Sequence, residues 1–207
     1  MIKDQPIQQF LDELASKAST PGGGSAAAIM AAMGAALGSM VGNFTVGKKG
    51  YEDVDAEMRE TLAQTEQLRD KLTDMIRADI EVFNNVMNAY GMPKDTDEQK
   101  AERSQTIQTA LRDATDVPLD CAQAAAEVLK LCKPLAEQGN KNVISDAGVA
   151  VLAAEAALRS AALNVYINIG SIKDEEFKQS RQQQLDEALA GTRDLTDEVY
   201  DIVKSRL

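Results

Sequence analysis

The chain has no histidine anywhere in its 207 residues. A Ser-His-Asp triad is therefore impossible, and the usual general base near neutral pH and the commonest metal ligand are both missing. Any chemistry must rest on Asp, Glu, Lys, Tyr, backbone amides or water. Tryptophan is absent and aromatics make up only 4%, so the core must be built from Ala, Leu, Val, Ile and Met. Such side chains suit closely packed helices better than sheets, which favour β-branched and aromatic residues. Cysteine is scarce: Cys121 and Cys132 lie eleven apart and match no CxxC or zinc spacing. They read as reduced core residues of a cytoplasmic protein. Positive charge is in deficit, with 22 Lys and Arg against 33 Asp and Glu and a net charge of -11. An acidic surface repels phosphate backbones, which argues against a nucleic-acid partner. Any anionic ligand must then be met by a local Lys or Arg. The N-terminal segment has no apolar signal region, so nothing in it suggests export.

What is present is helical periodicity. Ile7, Phe10, Leu11 and Leu14 mark one face of a first helix. A second, rich in Ala and Gly, is predicted over about residues 25–45. From Tyr51 to Tyr90 there is no Gly or Pro, and apolar residues recur every three or four positions from Val54 through Met58, Leu68, Ile76 and Phe83 to Tyr90. "YGMPKDTD" ends that helix, and Asp95 or Thr96 can cap the next. The pattern then predicts a helix over about 97–115 and another that starts at Pro118 and runs to about Gln138. After a "GNKN" turn, an apolar helix follows over about 145–168, and a last one over about 174–204 is weakened at Gly191. No convincing strand is found. The expectation is a single domain, residues 1–207, forming an all-α antiparallel bundle of six or seven helices.

The stretch "TPGGGSAAAIMAAMGAALGSMVGNFTVGKKGY", residues 20–51, carries no charge until Lys48. It is long enough to span a bilayer, but Ala, Gly, Ser and Met dominate it and few residues are strongly apolar, so no membrane role is expected. "GNFTVGKK" nearly spells a phosphate loop, but Lys49 stands where a hydroxyl must hold Mg²⁺, and a helix precedes it where a strand is needed. Gly34, Gly38 and Gly42, four apart, make a smooth face for close helix contact. "TPGGGS" is either a plain turn or a ligand loop, since Gly22 to Gly24 leave amides unshielded beside a helix N-terminus.

Five segments occur in order: "TPGGGSAAAIMAAMGAALGSMV", "NFTVGKKGY", "DIEVFNNVMNAYGMPK", "ATDVPL" and "GNKNVISDAGVAVLAAEAALRSAALNVYINI". Together they resemble the cyclodeaminase/cyclohydrolase family, all-α folate enzymes that include the C-terminal domain of formiminotransferase-cyclodeaminase. The similarity runs from about Ile7 to Lys204 and is strongest to the stand-alone bacterial cyclohydrolases. The resemblance implies an all-α homodimer that hydrolyses 5,10-methenyltetrahydrofolate to 10-formyltetrahydrofolate, with no metal and no bound cofactor.

That substrate carries an N5=C–N10 amidinium-like cation, to which water must add before a C–N bond breaks. Carboxylates and amides suffice for orientation, proton removal and charge stabilisation. Asp79, at the acidic position of the family motif, is expected to recognise the pterin or act as general base, unless it is a plain surface Asp. Asp146 follows Ser145, a natural N-cap, and is a structural first-turn residue or a catalytic one. Lys48 could hold the carboxylates of the glutamate tail or polarise a nitrogen or the water. Tyr51 could assist as a donor, and Asn43 could reach the ring amides, whereas Lys49 reads as solvated. Asn164 and Asn168 share one helix face and bind either the pterin or a neighbouring helix. Pro21, Gly22, Gly23, Gly24 and Ser25 complete the expected substrate contacts. Glu155 and Arg159 read as an ion pair. The rivals are formiminotetrahydrofolate cyclodeaminase on the same fold, disfavoured because the sequence carries no formiminotransferase domain, and a non-catalytic helical dimer.

Overall fold

The computed structural model describes residues 4–207. Seven α-helices account for the described chain: α1 (Ile7–Leu14), α2 (Gly23–Thr45), α3 (Asp55–Tyr90), α4 (Asp97–Gln138), α5 (Ile144–Ile169), α6 (Glu175–Leu189) and α7 (Thr192–Arg206). No strand occurs among the described residues, and "NVYINI" continues α5 to Ile169.

The glycine-rich α2 is central and packs against α3, α4 and α5. Its three spaced glycines face different neighbours. A Cβ on Gly34 would stand 3.0 Å from the Ala150 carbonyl of α5; one on Gly38 would meet Thr65 and Leu135; one on Gly42 would meet Leu62. The small-residue spacing thus allows three backbones to approach one helix at once. Gly34 pairs in height with Ala150 and Ala154, and Gly23 with Asn164, so α2 and α5 run antiparallel. Both are long and apolar enough to cross a membrane by length and composition, yet half of each such stretch is buried within this chain.

Several expectations are corrected. The helices predicted on either side of Pro118 are one, α4, with Pro118 and Pro134 inside it. A proline in a helix removes one N–H and frees the carbonyl four residues back. For Pro118 that carbonyl belongs to Ala114, and it accepts a hydrogen bond from Asn168 of α5, which repairs the gap. The last helix is not weakened at Gly191 but broken there: Gly191 takes φ 69 and separates α6 from α7. The face of α1 is mostly unpartnered, with Phe10 buried but Ile7 and Leu11 exposed. Thr96 caps α4 as expected, in a box with Gln99. Ser145 does not cap α5: a 3-10 turn over Lys141–Val143 runs straight into it, Asn140 caps that turn, and Ser145 is exposed.

Candidate active site

The apolar stripe of α3 changes character along its length. Met58, Leu72, Met75 and Ile76 are buried, whereas Phe83, Met87 and Tyr90 are exposed. Where the stripe leaves the core, it becomes the wall of a cavity of about 320 Å³. Asp79, Phe83, Val86 and Tyr90 line it from α3; Leu111, Ala114 and Pro118 from α4; Asn164, Ile167 and Asn168 from α5. The volume lies at the small end of the range for ligand sites, enough for a fused ring rather than a whole folate.

Asp79 is the charged group on that wall. Its Oδ2 accepts a hydrogen bond from the Ser25 hydroxyl at 2.7 Å, and the Ser25 backbone N–H also favours the ionised carboxylate. Ser25 is the third residue of α2, so the carboxylate sits on the positive end of a 23-residue helix. Glycine at position 24 makes this possible, because a Cβ there would lie 2.0 Å from Asp79 Oδ1. Burial raises the Asp79 pKa above the ordinary carboxylate value, and the Ser25 bonds pull partly against it. A desolvated carboxylate of raised basicity in a cavity wall is what a general base requires.

Asn164 donates to the Ser160 carbonyl at 3.0 Å, and Asn168 to the Ala114 carbonyl at 2.5 Å. Asn168 bonds a neighbouring helix and also lines the cavity, whereas Asn164 bonds its own helix. Gly23 faces Asn164 at 3.9 Å, while nothing lies within 4 Å of a Cβ on Gly22. Pro21 is buried at the entry to α2.

The remaining expected residues lie elsewhere. Lys48 and Tyr51 follow the C-terminus of α2, about 30 Å from Ser25 at 1.5 Å rise per residue. The Lys48 ammonium stands 5.9 Å from the Tyr51 ring centroid, and the Tyr51 hydroxyl accepts from the Lys141 amide. Asn43, Ser145 and Asp146 belong to this same end, where Asn140 donates to the Phe44 carbonyl at 2.7 Å. Lys48 and Lys49 border a surface hollow with Glu52, Asp55 and Arg59. Within one chain, the structure thus divides the expected site residues into an Asp79 end and a Lys48 end. Glu155 and Arg159 pair at 3.4 Å on the surface. Cys121 and Cys132 are both buried and unbridged, their thiols pushed up to about 12 by desolvation.

Sequence reasoning missed Tyr90, Leu111, Ala114, Pro118 and Ile167 as lining residues. Phe83 and Tyr90 followed the same period as core residues, so pattern alone could not separate them. Pro118, in the segment "ATDVPL", has the pattern of a helix start, which conceals its place in the wall.

The family model described as Formiminotransferase-cyclodeaminase matches residues 6–187. The chain is 54% identical over 207 residues to the methenyltetrahydrofolate cyclohydrolase of Methylorubrum extorquens, with 100% of both chains covered. It is 37% identical over 202 residues to the formimidoyltransferase-cyclodeaminase of Sus scrofa, covering 98% of this chain and 37% of that longer one. Among solved structures, formiminotetrahydrofolate cyclodeaminase from Thermotoga maritima matches with a TM-score of 0.83 at 34% identity, covering 100% of this chain and 98% of that one. A cyclodeaminase of this same length removes the force of the domain-content criterion: a missing formiminotransferase domain does not separate the two activities.

Proposed function

The chain belongs to the formiminotransferase-cyclodeaminase family, and on that premise we propose that it hydrolyses 5,10-methenyltetrahydrofolate to 10-formyltetrahydrofolate. The 54% identity to a cyclohydrolase along the whole chain, against 34% to the cyclodeaminase structure, favours this activity over ammonia release. The observation that carries the chemistry is Asp79, held by Ser25 in the wall of a ring-sized cavity.

The cavity takes the pterin, with Phe83 and Tyr90 against its flat face. Water adds to the carbon between N5 and N10, and the Asp79 carboxylate accepts its proton. The C–N5 bond of the tetrahedral adduct then breaks. N5 takes the proton back from Asp79, the adduct hydroxyl becomes the formyl carbonyl, and its proton leaves to solvent. The sum is cation plus water giving 10-formyl product plus one proton. No step requires a metal or a bound cofactor, and the reduced, buried cysteines suit a cytoplasmic setting.

The Lys48 end enters through a second copy. Met33, Met40 and Phe44 of α2 and Val149, Leu152, Leu163, Tyr166 and Ile167 of α5 are exposed apolar residues. Helical spacing sets them along one side of the antiparallel pair. A two-fold axis near the middle of α2 brings the Lys48–Tyr51 end of one copy beside the Asp79 end of the other. Lys48 then meets the tail carboxylates and Tyr51 donates toward the reacting centre, with Asn43, Ser145 and Asp146 nearby.

The test follows the 5,10-methenyltetrahydrofolate absorbance with purified protein and EDTA against spontaneous hydrolysis. Protein-dependent loss supports the proposal; no acceleration, with ammonia released from 5-formiminotetrahydrofolate, replaces it by the cyclodeaminase. Failure of both leaves a non-catalytic helical dimer. Sedimentation tests the homodimer, and mixing inactive Lys48→Ala and Asp79→Ala chains tests the shared site, because mixed dimers regain one intact site.

A further inference from the structure

Two asparagine amides in the cavity wall are turned the same way. Asn164 Nδ2 faces the Ser160 carbonyl of its own helix, and Asn168 Nδ2 faces the Ala114 carbonyl of α4. A carbonyl only accepts, so the atom facing it must be the donor nitrogen. That leaves each Oδ1 as the amide's acceptor, and among the described residues neither accepts a hydrogen bond from the protein. With the Asp79 carboxylate, the wall is rich in acceptors.

The two arrangements differ in cause. The Ser160 carbonyl is close to Asn164 simply because they are one turn apart. The Ser160 carbonyl is shared with the N–H of its own helix, whereas the Ala114 carbonyl meets Asn168 free of any helix donor because residue 118 is proline. Any other residue there would present an N–H to that carbonyl as part of the regular helix.

We propose that Pro118 is a positioning residue for substrate recognition: by leaving the Ala114 carbonyl unclaimed, it holds the Asn168 amide with Oδ1 available to N–H donors of a planar heterocycle in the cavity. Such an edge is presented by the 2-amino-4-oxopyrimidine part of a reduced pterin, and this identification rests on the function proposed above. The competing possibility is that Asn168 merely repairs the helix around Pro118. In that case, restoring the N–H at position 118 should cost nothing in recognition.

The experiment compares wild type, Pro118→Ala, Asn168→Ala and the double variant in kcat, KM for 5,10-methenyltetrahydrofolate, and Tm. Expected for Pro118→Ala is an unchanged or higher Tm, since alanine suits a helix better than proline. KM is expected to rise about tenfold, the equivalent of one hydrogen bond, with kcat within about threefold on the same grounds. Asn168→Ala raises KM similarly, and the double variant no further, because the two act through one bond. An unchanged KM in Pro118→Ala, or additive effects in the double variant, overturns the proposal. Asn168→Asp covers a Pro118→Ala chain that does not fold. The ionised carboxylate cannot donate to Ala114, so KM rises near neutral pH and recovers as the carboxyl protonates; a KM flat across pH overturns the proposal. Should wild type not act on this substrate, the proposed function fails, and the positioning role is judged by NMR. Slow exchange of the Asn168 side-chain amide in wild type, made fast by Pro118→Ala, supports it; equal exchange overturns it.

Discussion

The two ends of α2 both carry glycines, for opposite physical reasons. At the N-terminal end the constraint is space: Gly24 has an ordinary helical backbone, yet a Cβ there would collide with Asp79. At the C-terminal end the constraint is conformation: Gly47 and Gly50 have φ +70 and +91, and nothing lies within 4 Å of a Cβ on either. One end is a closed socket around a carboxylate and the other an open turn. A glycine-rich motif therefore has no single meaning. The first kind marks where another element arrives, and the second only how the chain turns.

The sharpest way to break this contrast is at the socket. Asp79→Asn is expected to lower kcat by about 10²- to 10⁴-fold, the usual weight of a general base, without loss of Tm near neutral pH. The second half follows from linkage. Burial raises the folded-state pKa of Asp79 above its unfolded value, so its contribution to stability is fully present below the unfolded pKa and is lost as pH rises through the folded one. Above the folded-state pKa the wild-type chain holds an unfavourable buried charge, which asparagine removes. A thermal melt across pH together with the rate assay checks both halves; a large fall in Tm would instead make Asp79 chiefly a structural cap of α2.

Gly24→Ala should follow in size. The added methyl drives the carboxylate from its seat, with an activity loss of about 10²-fold expected from misplacement on this scale and about 1–3 kcal/mol of overpacking. Assay and denaturant titration read the two effects. Ser25→Ala is milder and has a directional signature. Losing the Ser25 hydroxyl removes a bond that lowers the Asp79 pKa, so the acid limb of the pH–rate profile should move to higher pH. At the open end, Gly47→Ala should cost only about 1–2 kcal/mol for the left-handed backbone, measured by denaturant titration, with kcat almost unchanged. If Gly47→Ala proved as damaging to activity as Gly24→Ala, the contrast between socket and turn would fail.

Much of this was legible before any coordinates. The period of α3, the Thr96 cap, the tight face of Gly34, Gly38 and Gly42, and the Glu155–Arg159 pair all follow from local rules. Local rules also misled. Pro118 was read as a helix start because proline usually is one, but Asn168, 50 residues later in sequence, supplies the missing bond. Ser145 was read as a cap because serine often caps helices, but the Asn140 turn enters α5 without one. Asp79 stands out by its place in a family motif, which is local, whereas its partner Ser25 lies 54 positions away. Lys48 and Asp79 were grouped by shared chemistry, and the length of α2 parts them.

By itself the sequence determined an all-helical chain with a small-residue core, a helix with a smooth face for close contact, and the residue types open to catalysis once histidine is gone. These depend on composition and on periods of three to four residues, which a linear chain states directly. The tertiary structure alone decided that the exposed end of the α3 stripe walls a cavity, that Gly24 seats Asp79, and that the Ala114 carbonyl waits for Asn168. Each is a contact between distant segments, set by where whole helices pack, and no short-range pattern carries that information.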